Sequence, residues 1–139
     1  MKPLILVAKG VRPLRNGRIN AKSYPFWDWL IKLLQVDYEV QEIMEMPLDQ
    51  LNTLVKSALT VVCVDSFIQH FCWSIGKKVV VLWGSGHPNI YGHVENINLL
   101  KDPKYLRPDP FVWWEEELCN PDAFVAPEVI VKTIKENFK

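Results

Sequence analysis

Four short apolar runs, each followed within a few residues by polar or glycine residues, constrain this chain more than any other feature. They are Pro3–Ala8, Tyr38–Ile43, Thr60–Val64 and Lys78–Trp83. Three of them are apolar almost throughout, so neither face of the strand they would form can stand in water. Such runs read as strands of a parallel sheet covered on both sides. Amphipathic stretches fill the intervals. Behind Pro25, the residues Phe26, Trp29, Leu30, Leu33 and Leu34 fall at i, i+3, i+4, i+7 and i+8, one stripe of a helix. Pro47 opens a second helix, with Leu48, Leu51, Val55 and Ala58 on one side. Phe67–Ile75 reads as a third, stopped by Gly76. Asn96–Leu100 is one more short strand, and the last helix starts at about Pro127, with Val131, Ile134 and Phe138 on one side. The proline-rich residues 101–126 have no clear period. This alternation predicts an α/β fold, a Rossmann-like doubly wound parallel sheet, as a single domain over residues 1–139. Ligands of such sheets bind at the carboxyl ends of the strands.

Composition narrows the function. A chain of 139 residues with 49% apolar residues supports one core, and equal numbers of acidic and basic side chains, 16 each, argue against both disorder and a nucleic-acid partner. No apolar run is long enough to span a membrane, and Met1-Lys2 does not lead into a signal peptide. Cys63, Cys72 and Cys119 are an odd set without CxxC spacing, which points to reduced packing residues in a cytoplasmic protein. His87 and His93 flank a glycine loop but lack the further ligands a metal would need, so neither metal nor cofactor is expected.

Three segments that follow strands are rich in polar residues. The first is Lys9-Gly10 with the basic loop holding Arg12, Arg15, Arg18 and Lys22. The second runs from Val64 through Asp65, Ser66, Phe67 and Gln69 to His70, where a strand meets a helix. The third is Trp83-Gly84-Ser85-Gly86-His87-Pro88. Ser66 at a helix N-terminus, with free backbone N–H groups beside it, is an anion site favoured by the helix dipole. Lys22 or an arginine of the first loop would neutralise a diphosphate there, and His70 lies one turn further along the helix. The plainer reading makes Asp65-Ser66 a helix cap and His70 a half-buried histidine. Gly84 and Gly86 form neither a dinucleotide nor a P-loop fingerprint, and suit either backbone approach to a ligand or a sharp turn. The Trp113–Glu117 run reads as an amphipathic surface helix.

Taken in order, these segments resemble the C-terminal half of a family 9 glycosyltransferase, the heptosyltransferase group. Val61–His70 is similar to that family's strand followed by Asp-Ser/Thr-Gly-x-x-His, and Gly76-Lys77 to its turn. Val80–Pro88 with Tyr91-Gly92 is similar to its Phe/Trp-Gly-x-Thr/Ser-x-Pro loop. Met46–Leu51 resembles a helix start of the family. Cys119 with Val125-Ala126-Pro127-Glu128 resembles its closing segment.

The resemblance implies half of a two-domain GT-B fold, binding a nucleoside-diphosphate sugar such as ADP-heptose. Lys22 would contact the phosphates, Ser66 with the backbone of Asp65–Phe67 would hold the diphosphate, and His70 would lie nearby. Met46 would border the base, and the Gly84-Ser85-Gly86 loop would lie near the donor. The family's catalytic base sits on an acceptor-binding domain that these residues do not include. The expected partner is therefore an acceptor-domain protein or a second copy of the chain, with the chain an incomplete transferase by itself. Phe67 stands where the motif has glycine and would crowd the phosphates. The short link between the Phe26–Leu34 helix and the Tyr38–Ile43 strand implies a missing strand–helix unit, and with it the family's ribose-binding glutamate. These departures fit the alternative of a non-catalytic nucleotide- or protein-binding module.

Overall fold

The computed structural model describes residues 1–10, 19–111 and 119–139. The arginines 12, 15 and 18 and the Trp113–Glu117 run, for which a phosphate contact and a surface helix were expected, lie outside the described residues. Five strands, β1 (Leu4–Ala8), β2 (Glu39–Glu42), β3 (Thr60–Val64), β4 (Val80–Trp83) and β5 (Ile97–Leu100), pair in parallel in the order β2-β1-β3-β4-β5. The helices are α1 (Trp27–Leu34), α2 (Leu48–Ser57), α3 (Phe67–Ser74), the one-turn α4 (Pro88–Tyr91) and α5 (Pro127–Asn137). Short 3₁₀ turns at Pro103–Tyr105 and Pro121–Ala123 occupy the proline-rich stretch.

The two faces of the sheet have separate cores. Ile5, Val7, Val62, Val64, Val80 and Leu82 pack against Leu30 and Leu34 of α1 and Ile130 and Ile134 of α5. Alternate residues Leu6, Ala8, Val61, Cys63, Val79 and Val81 face Leu51 and Val55 of α2 and Cys72 of α3. The period-two alternation of strand side chains explains why β1, β3 and β4 had to be apolar throughout. The edge strand β2 carries exposed Gln41 and the exposed charges of Glu39 and Glu42, which discourage pairing with another chain.

The α1 stripe differs from the sequence expectation. Its buried residues are Trp27, Leu30 and Leu34, while Trp29 is 46% exposed. Helical residues begin at Trp27, and Trp27 takes the core place expected for Trp29. Gly76 adopts φ +75° just past α3, the left-handed closing conformation that glycine accommodates best. Cys63 and Cys72 are buried and carry no disulfide. Burial pushes the Cys63 thiol well up and that of Cys72 up to about 11. Among the described residues no helix is long and apolar enough to cross a membrane.

Leu30 is fully buried between α1 and the sheet. Leu30→Ala is expected to cost about 2–5 kcal/mol of stability, read as a lowered urea midpoint with an unchanged slope.

Candidate functional site

Strand order fixes where a ligand can sit. The chain leaves β1 towards β2 on one side, while β3 lies on the other, so the loops after β1 and β3 part and open a crevice at their carboxyl ends. Lys9-Gly10 stands at one lip and Asp65-Ser66 at the other. Lys22, from the loop between β1 and α1, reaches this crevice.

There Lys22 Nζ lies 3.2 Å from Asp65 Oδ2, and both side chains are largely shielded from solvent. The other carboxylate oxygen of Asp65 accepts a 2.7 Å hydrogen bond from Gln69 Nε2. Gln69 is fully buried, and its Oε1 has no partner among the described residues. Gln69 and Asp65 are four apart, so the helix itself turns the amide back onto the carboxylate. The result is a short chain of contacts, Gln69 to Asp65 to Lys22, that fixes a cation beside the start of α3.

Ser66 occupies the N-cap position of α3 without capping it. Its hydroxyl donates backwards to the Val64 carbonyl at 3.2 Å, and no described side chain caps the helix. The first N–H groups of an α-helix have no partner within the helix, so those of α3 remain to be satisfied from outside. Phe67, 59% exposed at the first helical position, pairs its ring with Phe71 one turn on, at 5.8 Å between centroids. Its contact is with its own helix.

The glycine loop approaches the same point. A cavity of about 10 Å³, room for one water, is lined by Lys22, Asp65, Trp83, Gly84, Ser85 and Gly86. Any ligand larger than a water would therefore lie outside it or displace the Lys22–Asp65 contact. Gly84 is explained by packing: a Cβ there would come within 2.6 Å of the buried Phe124 ring. Gly86 packs on the Trp83 ring and would put a Cβ 3.9 Å from Asp65 Oδ2. Arg107 N donates to the Ser85 carbonyl (2.9 Å), and His87 Nε2 lies 2.7 Å from the Arg107 carbonyl, so the loop is braced from beyond β5.

The structure thus gathers Lys22, Asp65, Gly84, Ser85 and Gly86 around one cavity, with Ser66 adjoining. His70 and Met46 lie elsewhere. His70 is exposed, with Nδ1 2.8 Å from His93 Nε2, and His93 stacks on Trp73 at 4.4 Å. Met46, just before α2, is half-buried against the core on the α2 and α3 side. Gln69 is the residue that sequence reasoning passed over. A lone amide at i+4 from Asp65, on an otherwise apolar helix, was the signal available.

The model of glycosyltransferase family 9 (heptosyltransferase) matches residues 30–100, just over half of the chain. The match takes in Met46, Asp65–His70 and the glycine loop, and begins after Lys22. No curated protein and no solved structure matches significantly.

Gly84→Ala is expected to cost about 1–3 kcal/mol, because the added Cβ would overlap the ring of buried Phe124. Gly10→Ala, with nothing among the described residues within 4 Å of its added Cβ, should leave the melting temperature nearly unchanged.

Proposed function

Because the chain belongs to glycosyltransferase family 9, the heptosyltransferase family, we propose that residues 1–139 are a donor-binding unit of GT-B type, taking a nucleoside-diphosphate sugar at the β1/β3 crevice. One observation carries this reading: the N-terminus of α3, which no described side chain caps, with Lys22 held beside it by Asp65, 3.2 Å away. Backbone N–H groups of residues 65–67 and the Lys22 ammonium would together hold the diphosphate, whose charge the helix dipole also favours. Lys22 would exchange the Asp65 carboxylate for phosphate oxygens as the donor arrives. Ser66 would give its hydroxyl to the same group, Met46 would border the base, and the Gly84–Gly86 loop would line the donor.

The chemistry follows from that placement. Sugar transfer displaces the nucleoside diphosphate from the anomeric carbon, and negative charge grows on the departing phosphate. Lys22 and the α3 amides stabilise that charge more as it grows, which lowers the barrier. The base that deprotonates the acceptor would come from outside these residues, on an acceptor-binding domain or a second copy of the chain. ADP-heptose or a similar nucleotide sugar is the donor class. The setting is cytoplasmic, where a nucleotide sugar and the reduced thiols of Cys63 and Cys72 are found together.

The alternative is a non-catalytic module that keeps the fold to bind a nucleotide or a protein. It draws support from the cavity of about 10 Å³ and from Phe67 in the motif's glycine position.

Calorimetric titration with ADP, UDP, GDP, CMP and ADP-heptose separates the readings. Micromolar binding of one nucleotide is expected. Lys22→Ala should weaken it about tenfold or more, the loss of one charge-assisted contact. Asp65→Asn keeps an acceptor for Gln69 but removes the negative charge facing Lys22 and the incoming phosphates, and should tighten binding several-fold. Silence across the panel from folded protein would overturn the donor-site reading.

A further inference from the structure

The exposed indole of Trp29 stands beside a cleft that the donor reading leaves unused. The cleft, about 450 Å³, lies between the end of β1 and the start of α1, and is lined by Lys9, Tyr24, Phe26, Asp28 and Trp29 among others. Its size falls within the roughly 300–1,000 Å³ of small-molecule sites. We propose that this cleft is a carbohydrate subsite, in which the Trp29 indole takes the apolar face of a sugar ring and Lys9 and Asp28 take its hydroxyls.

Three observations carry the assignment. First, Trp29 is exposed although Trp27, two residues away, is buried in the core, so the second indole contributes little to the packing beneath α1. Its ring is instead braced from the side by Phe26, at 5.9 Å between centroids and 76° between planes. Second, the rings meet as a corner. Tyr24 and Phe26 are also nearly perpendicular, at 5.6 Å and 88°. A nucleobase is held best by faces laid parallel to it, whereas a sugar offers one C–H face and needs one ring. Third, the cleft carries both signs of charge. Lys9 only donates and Asp28, when ionised, only accepts, while a sugar hydroxyl does both, so neighbouring hydroxyls satisfy the two together. Lys9 Nζ is steadied by Glu42 Oε2 at 3.5 Å.

Position fits the same ligand. Lys9 directly follows β1 as Asp65 directly follows β3, and these strands are neighbours. The cleft and the α3 N-terminus therefore open at the same edge of the sheet. The choice of a saccharide rests on the proposed donor reading, and the cleft supplies a place for a glycosyl group that the Lys22–Asp65 cavity cannot hold.

Saturation-transfer NMR on the full chain with methyl glucoside, methyl galactoside and methyl mannoside tests this, with calorimetric nucleotide titration alongside. Saturation of ring C–H protons is expected from at least one glycoside. Trp29→Ala should weaken that binding about tenfold, Trp29→Phe should recover part of it, and nucleotide affinity should stay unchanged in both. Asp28→Asn should weaken glycoside binding without altering the urea midpoint. Absence of saturation from every glycoside, or equal saturation in Trp29→Ala, would overturn the subsite even where nucleotide binds normally. Loss of adenosine or uridine binding in Trp29→Ala, in place of glycoside binding, would overturn it in favour of a base pocket. Glycoside binding with no nucleotide binding would leave the subsite standing and remove the donor reading.

Discussion

Everything at the candidate site depends on a sheet that is buried on both faces. Its three central strands have apolar side chains on both sides, so helices must cover both layers, and a parallel arrangement follows from the crossovers. All five strands then finish at one edge. Polar residues that the core rejects, Lys9 after β1 and Asp65 after β3, are delivered to that edge together. The order β2-β1-β3-β4-β5 parts the loops between β1 and β3, and the crevice is a consequence of topology before any side chain is considered.

Within the crevice, electrostatics and helix geometry work on the same few atoms. Asp65 is held by Gln69 from within α3 and in turn holds Lys22. A carboxylate next to a helix N-terminus would oppose an incoming anion, but it also holds the Lys22 ammonium in place. Affinity at such a site is a difference between two pairings of the same ammonium, one with carboxylate and one with phosphate. The backward hydrogen bond of Ser66 to Val64 has a related effect, because it turns the hydroxyl away from the amides it would ordinarily cap.

Much of this was legible in the residues. The β3 limits, the Gly76 stop and the Pro127 start of α5 agree with the reading of apolar runs, glycine and proline. The α1 stripe holds at Leu30 and Leu34 and fails at Trp29, because Trp27 and Trp29 are both apolar and lie on either side of the expected face. Three-dimensional packing chose Trp27 and left Trp29 outside. Post-strand position placed Lys22 near Asp65-Ser66, but the direct Lys22–Asp65 ion pair joins residues far apart in the chain and has no local signal. The close seating of Gly84 against Phe124, forty residues away in sequence, is a packing reason for the glycine that no local pattern displays. The family's order of motifs was visible throughout, and the matched segment covers its central part.

The central claim is that the start of α3 binds a nucleoside diphosphate. The most direct measurement is a two-dimensional amide NMR titration of the isotope-labelled chain with ADP and UDP. The largest shifts are expected on residues 65–67 and on the loop 84–86, with the Lys22 amide moving at the same ligand concentration. Shifts confined to residues far from α3 and the glycine loop, or none at millimolar nucleotide, would contradict it.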